Sequence, residues 1–278
     1  MQEVFHLLVH AGCVRERWYT VDREHAALVR PLAIRIPSTM PLDMKAKLLQ
    51  KERIVKLKLQ GHHNHATVVP DSVVRLSLVN MFRGSLQFTG GSQLHTVYLD
   101  SAVNYPMHQV IAALPQQLHA LHISGGSTCT RPLSILQYIV NYPVGLKKLS
   151  LQNVQDVQAP LPERLETFSC TGTRSAQLPT LPATLRELYL KMVTSEGGVV
   201  VLPPTLEKLV VLDCSCSVLG FPPLLIHCEV SGRNAPQVLQ QLPESLRVLK
   251  LSQLRTRFNP DLPQNLEVTE LPAAWWRR

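Results

Sequence analysis

The chain has 278 residues, 45% hydrophobic but only 5% aromatic, with 21 Pro and 13 Gly; this is enough apolar material for a body larger than one ordinary domain, and it argues against disorder along most of the length. No stretch approaches the ~18 unbroken apolar residues of a membrane-crossing helix, because Pro, Lys, Arg or Gln interrupts every leucine-rich run. Lysine and arginine outnumber acids 28 to 20, a net charge of +8 with a pI near 9.3, which favours an acidic partner such as RNA, an anionic membrane surface or an acidic protein without choosing among them.

The start, Met1-Gln-Glu-Val-Phe-His-Leu-Leu-Val-His, carries an acid where a secretory signal has a base, and His6 and His10 break its apolar core. Six scattered cysteines (Cys13, Cys129, Cys170, Cys214, Cys216, Cys228) form no short-domain framework, so reduced thiols in an intracellular, cytoplasmic setting are expected. Residues 1–53 read as a helical N-terminal cap. Glu3 to His10 and Arg15 to Val29 have helical spacing, whereas Pro31-Leu-Ala-Ile-Arg-Ile36 alternates like a strand. Val29, Leu32 and Ile34 already fit the register of the repeats that follow, so the repeats can begin one irregular turn early. A short helix capped by Asp43 then leads into a strand at Ile54–Leu59.

From Ile54 onward the chain repeats itself. The unit is apolar-Pro-x-x-Leu-x-x-Leu-x-Leu, plain in Leu114-Pro115-Gln-Gln-Leu118-His-Ala-Leu121-His-Ile123, in Leu181-Pro182-Ala-Thr-Leu185-Arg-Glu-Leu188-Tyr-Leu190 and in Leu242-Pro243-Glu-Ser-Leu246-Arg-Val-Leu249-Lys-Leu251. The register residue, three places after the Pro, falls at Ile54, Val73, Leu94, Leu118, Leu146, Leu165, Leu185, Leu206, Leu225, Leu246 and Leu266. The intervals are 19, 21, 24, 28, 19, 20, 21, 19, 21 and 20. Leu-x-Leu sends side chains to one face of a strand, and one unit cannot bury them alone. Stacked units cover one another's leucines, and their strands add into a parallel sheet. Pro suits the strand-free return side, since its missing N–H removes no ladder bond. The two long intervals contain Pro106-Met-His-Gln-Val-Ile-Ala-Ala and Pro132-Leu-Ser-Ile-Leu-Gln-Tyr-Ile-Val, which predict short helices; the shorter units leave room only for extended or 3₁₀-like backs.

On these residues the chain resembles the leucine-rich repeat superfamily over about residues 54–271, with Leu-Pro spacing similar to the short-repeat class of bacterial effectors and protozoan repeat proteins. The resemblance implies an α/β solenoid, a horseshoe of about eleven repeats with a parallel sheet on its concave face. The family's Asn, eight residues after the register residue, is missing; those positions hold Met81, Ala102, Gly126, Val154, Thr173, Val193, Cys214 and Arg233, of which Thr173 and Cys214 can substitute in part. Residues 272–278 form a C-terminal tail in which Trp275 and Trp276 cover the last apolar layer. At the other end, Cys13-Val-Arg15-Glu-Arg-Trp18, with Leu28 and then Leu32-Ala-Ile34, resembles the C-terminal half of an F-box. That resemblance implies adaptor docking and a ubiquitin-ligase substrate receptor, but a plain cap accounts for the same residues and is the reading adopted.

No pattern for catalysis or a cofactor emerges. His62-His63-Asn-His65 matches no common zinc spacing and reads as a solvated loop; Cys214-Ser-Cys216 reads as core. There is no Gly-x-Ser-x-Gly elbow, phosphate-cradling glycine loop or His-Glu-x-x-His helix, and Glu163 and Glu166 read as solvated. The expected activity is therefore non-catalytic binding of a protein through the concave face, within a larger assembly or alone. The outward columns single out Lys56, Lys58, Arg75, Tyr98, His122, Lys148, Tyr189 and Lys208 as partner-binding residues. A nucleic acid fits less well, since it prefers a longer basic run with more stacking rings, although the net charge keeps an RNA- or ribosome-associated role as a third reading.

Overall fold

The computed structural model describes residues 32–50, 54–79, 84–100, 107–125, 141–154, 160–174, 178–195, 199–232, 242–253 and 263–270. Each described repeat contributes one short strand to a single twelve-stranded sheet, and every neighbouring pair in it is parallel. Its strands are β1 (Leu32–Pro37), β2 (Ile54–Gln60), β4 (Arg75–Val79), β6 (Thr96–Asp100), β7 (Ala120–Ser124) and β8 (Lys148–Gln152), then β9 (Thr167–Thr171), β10 (Glu187–Lys191), β12 (Lys208–Leu212), β14 (His227–Ser231), β15 (Val248–Ser252) and β16 (Val268–Glu270). Spatial order follows chain order, as a solenoid requires. β1 precedes the repeats counted from Ile54, so the sheet starts one irregular turn early, inside the segment assigned to the cap; its pairing with β2 slips between Leu32 and Ala33.

On the return side the chain is extended. β3 (Thr67–Val69) pairs with β5 (Leu86–Phe88), and β11 (Val199–Val201) with β13 (Ser217–Leu219), as two small parallel ladders. Among the described residues none of these backs is 3₁₀-helical. Two helices interrupt the pattern, α1 (Leu42–Leu49) and α2 (Met107–Ala113). The second agrees with the helix expected after Pro106; the one expected from Pro132 lies outside the described residues, as do residues 1–31 and the tryptophan tail. Asp43 does not cap α1. Pro41 occupies the cap position with no side-chain hydrogen bond, and Asp43 sits inside the first turn, where its charge still complements the helix dipole.

The period-20 reading has direct packing consequences. Ten of the eleven register residues, Ile54 to Leu246, are buried, and Leu266 packs against the same cluster. The strand positions three and five residues further on are buried too, for example Leu57 and Leu59, Leu149 and Leu151, Leu188 and Leu190. The result is one continuous apolar core from Ile34 to Leu251, in which each leucine side chain contributes about 1.5–3 kcal/mol by leaving water.

Proline has a more specific place than the return path. Its carbonyl accepts the register residue's N–H at 3.0–3.2 Å in eight coils, from Val73 to Pro70 through Leu246 to Pro243. Pro therefore opens the tight turn that delivers the chain into the strand. Two residues after Pro, a hydroxyl reaches into the preceding coil. Thr184 Oγ1 donates to the Glu163 and Leu165 carbonyls, Thr205 Oγ1 to those of Ala183 and Leu185, and Ser245 Oγ to that of Leu225.

At the other end of the strand the chain turns through a left-handed residue seven places after the register residue: Gly61, Asn153, Gly172, Met192, Asp213, Gly232 and Gln253 all have positive φ. The N–H of Asn153, Gly172 or Met192 then donates at 2.8 Å to the last strand residue of the next coil. This turn lies one residue before the position where the resemblance implies an asparagine. Where that Asn would sit, Val154, Val193, Thr173 and Cys214 are buried, and only Thr173 and Cys214 bond a backbone carbonyl, those of Thr171 and Leu212.

Candidate functional site: the outward face of the sheet

Alternation in each strand sends every second side chain away from the leucine core, and in-register parallel pairing lines these up into columns across the sheet. One column runs Arg35, Lys58, Ser77, Tyr98, His122, Ser150, Ser169, Tyr189, and continues through Val210, Glu229, Lys250 and Glu270. A second carries Lys56, Arg75, Thr96, Ala120, Lys148, Thr167, Glu187 and Lys208.

All eight residues singled out from the sequence lie in these columns, in two groups. Lys56, Lys58, Arg75, Tyr98, His122 and Lys148 occupy the neighbouring strands β2, β4, β6, β7 and β8. Tyr98 and His122 stack with ring centroids 4.4 Å apart and an interplanar angle of 5°, and the Arg75 guanidinium lies 5.5 Å above the Tyr98 ring. This places a planar aromatic platform beside a cation. Burial in the stack, then the positive charges of Arg75 and Lys148, hold the His122 imidazole below its ordinary range, so the ring is neutral at pH 7. Tyr189 and Lys208 form a separate group on β10 and β12. There the Lys208 ammonium sits 5.2 Å over the Tyr189 ring, and the Tyr189 hydroxyl donates to Glu187, which also accepts from Thr167.

The sequence reading missed Arg35, which joins the face only because β1 adds an extra coil. It also missed the rim at the entry to β8, β9, β10 and β12 and again at β15 and β16, where charge alternates in sign between neighbouring coils. Lys147 meets Glu166 at 2.8 Å, Arg186 meets Glu207 at 3.1 Å and Arg247 meets Glu267 at 3.7 Å. Lys147 pulls the Glu166 carboxyl below its ordinary range. Signs alternating at one-repeat spacing were the available signal for this ladder. The first two pairs line a shallow groove of about 560 Å³ together with Arg164, Thr184, Thr205 and Leu224.

The histidine cluster also needs correcting. His62 and His65 are exposed as expected, but His63 is buried, with Nε2 3.2 Å from the Ile36 carbonyl. Nearby Lys45 of α1 is buried as well and donates to Thr67 Oγ1 at 2.6 Å. Burial lowers the pKa of both groups, and Lys45 lowers that of His63 further. Cys214 and Cys216 are buried, in keeping with their reading as core.

Strands of successive repeats in one parallel sheet, over a leucine core of period ~20, define a leucine-rich repeat solenoid. Comparison with solved structures finds a likeness to the circular LRR protein CroV588, at 17% identity and a TM-score of 0.36, covering 78% of this chain. The matched region spans 43% of that protein's length. No family model matches the chain, and no curated protein does. Among the described residues no helix is long and apolar enough to cross a membrane.

Proposed function

We propose that the protein is a non-catalytic interaction module that binds a protein partner through the outward, concave face of its sheet, with residues 54–271 as the repeat body and 1–53 as a cap that lends β1 to the sheet. The observation that carries this reading is the rank of outward side chains held in register over a continuous buried core. Residues so positioned lose little conformational entropy on binding, which is what makes a sheet face an efficient docking surface. Aromatic and cationic groups dominate the part of that face from β2 to β8, and these residue types anchor interfaces out of proportion to their area. The adaptor-docking alternative rests on Cys13 to Leu28, outside the described residues.

A photo-crosslinking residue placed at Ser150 or Ser169, in the middle of the face, tests the reading against one placed at Val201 on the return side. Crosslinks to one protein from the face positions, lost on Tyr98→Ser, are the expected result. Equal crosslinking from Val201, or capture indifferent to Tyr98, would refute it.

A further inference from the structure

The outward face is electrically divided. On β1 to β8 its cations are Arg35, Lys56, Lys58, Arg75 and Lys148, and Asp100 is the one acid. On β9 to β16 the cations Lys191, Lys208 and Lys250 are matched by Glu187, Glu229 and Glu270, with Lys250 and Glu270 in direct contact at 2.7 Å. No cation of the first group forms an ion pair among the described residues.

Cross-strand pairing makes the first group costly to the fold. Arg35 lies opposite Lys58, and Lys56 opposite Arg75, in register on adjacent strands. Like charges directly opposed in a sheet are destabilising. Elsewhere on this molecule the sheet avoids that arrangement, by alternating sign along the rim and by the Lys250–Glu270 pair. An unrelieved excess of cations beside an aromatic stack therefore points to a ligand that supplies the missing negative charge.

Resting on the concave-face reading above, we propose that the β1–β8 half of the face binds an extended acidic polypeptide segment, with carboxylates on the cations of β1–β4 and β8 and a flat or apolar side chain on the Tyr98–His122 stack. The dimensions agree. From β1 to β8 there are five strand steps, about 24 Å at ~4.8 Å each, which is the reach of about seven extended residues. The order cation, aromatic platform, cation along that line asks for acid, apolar, acid in the ligand. A single stacked pair on the platform offers one seat for a planar group, whereas a single-stranded nucleic acid would use several successive rings. The neutral His122 ring adds no charge to that seat at pH 7.

The test is anisotropy of a fluorescein-labelled heptapeptide of glutamates around a central phenylalanine, titrated with the full chain at low salt. Saturable binding is expected, weakened about tenfold or more by Lys58→Glu and by Arg75→Glu, and by less than about twofold by Lys191→Glu, which makes the same charge change in β10. Lys58→Glu and Arg75→Glu turn like-charged pairs into opposite ones, so their melting temperatures should hold or rise while affinity falls, separating lost binding from lost folding. Absence of saturable binding, an equal loss with Lys191→Glu, or tighter binding of an oligouridylate of matched charge would each overturn the proposal. If the heptapeptide fails while Ser169 still crosslinks a partner, the face remains a docking surface and only the acidic-segment assignment falls.

Discussion

Phe168 is the largest fully buried side chain of the core and occupies a strand position that holds leucine in most other coils. Two residues on, on the same face of β9, Cys170 stands where neighbouring coils place Leu151 and Leu190. A large residue and a small one thus share one layer where the neighbouring coils carry two leucines, so the two substitutions that restore the repeat consensus should be strongly coupled. Phe168→Leu removes roughly three buried carbons, about 2 kcal/mol at ~0.8 kcal/mol per methylene. Cys170→Leu alone adds bulk beside an intact ring and should cost about 1–3 kcal/mol by overpacking. Together they rebuild a Leu-x-Leu layer like those on either side, and the double variant should lie within about 1 kcal/mol of the parent. Urea unfolding of the four proteins, followed by far-ultraviolet circular dichroism, measures the cycle, with unchanged m values as the check that the unfolding unit is the same. A coupling of at least ~2 kcal/mol is expected. Additive effects of the two single changes would show that the side chains do not share volume, and the compensation argument would fail.

The hydroxyl ladder predicts that Thr184→Val and Thr205→Val each lose about 1 kcal/mol, because each removes the single hydroxyl proton that two carbonyls of the preceding coil share; Thr→Ser at either site should recover most of it, measured by the same unfolding assay. At the left-handed turns, Gly172→Ala should destabilise, since φ is +61° and a Cβ would overlap the Asn153 side-chain oxygen, whereas Met192→Asn at φ +50° should stabilise by up to ~1 kcal/mol; equal melting temperatures for the pair would contradict this. Burial places the folded pKa of His63 below 6.5, so the fold favours the neutral ring, and the stability this represents is present above pH 6.5 and lost as pH falls through the folded pKa. His63→Gln should flatten that part of the stability profile. Lys45 is likewise lowered, so its cost is full below its folded pKa and fades as pH rises toward 10.5; Lys45→Met should therefore stabilise at pH 7, with the smallest gain at the alkaline end.

The eleven register residues, the inward pairs of each strand and the eight outward residues were all legible because a repeat of fixed length converts sequence position directly into position in space. Strand alternation then decided which side chain faces out, with no long-range information required. That is why Lys56 beside Arg75, and Tyr98 beside His122, follow from the repeat register alone. What failed had another cause. His63 was read as solvated because a polar neighbourhood in sequence, His62, Asn64 and His65, says nothing about the Ile36 carbonyl brought to it by β1, 27 residues away in the chain. The misplaced cap of α1 reflects a local competition: Pro41, with its fixed φ, ended the extended chain two residues before the carboxylate could.

Coil length, the buried stripe and the polarity of the outward columns follow from period and alternation alone, without any contact between coils. Contacts between coils supplied the rest: the left-handed residue that closes seven of the described turns, the hydroxyls of Thr184, Thr205 and Ser245 that tie their coils to the preceding ones, and the pairing that sets Arg35 of β1 opposite Lys58. These depend on which backbone groups of one coil meet those of the next. Such meetings are fixed by hydrogen-bond geometry between coils, and no residue type announces them in advance.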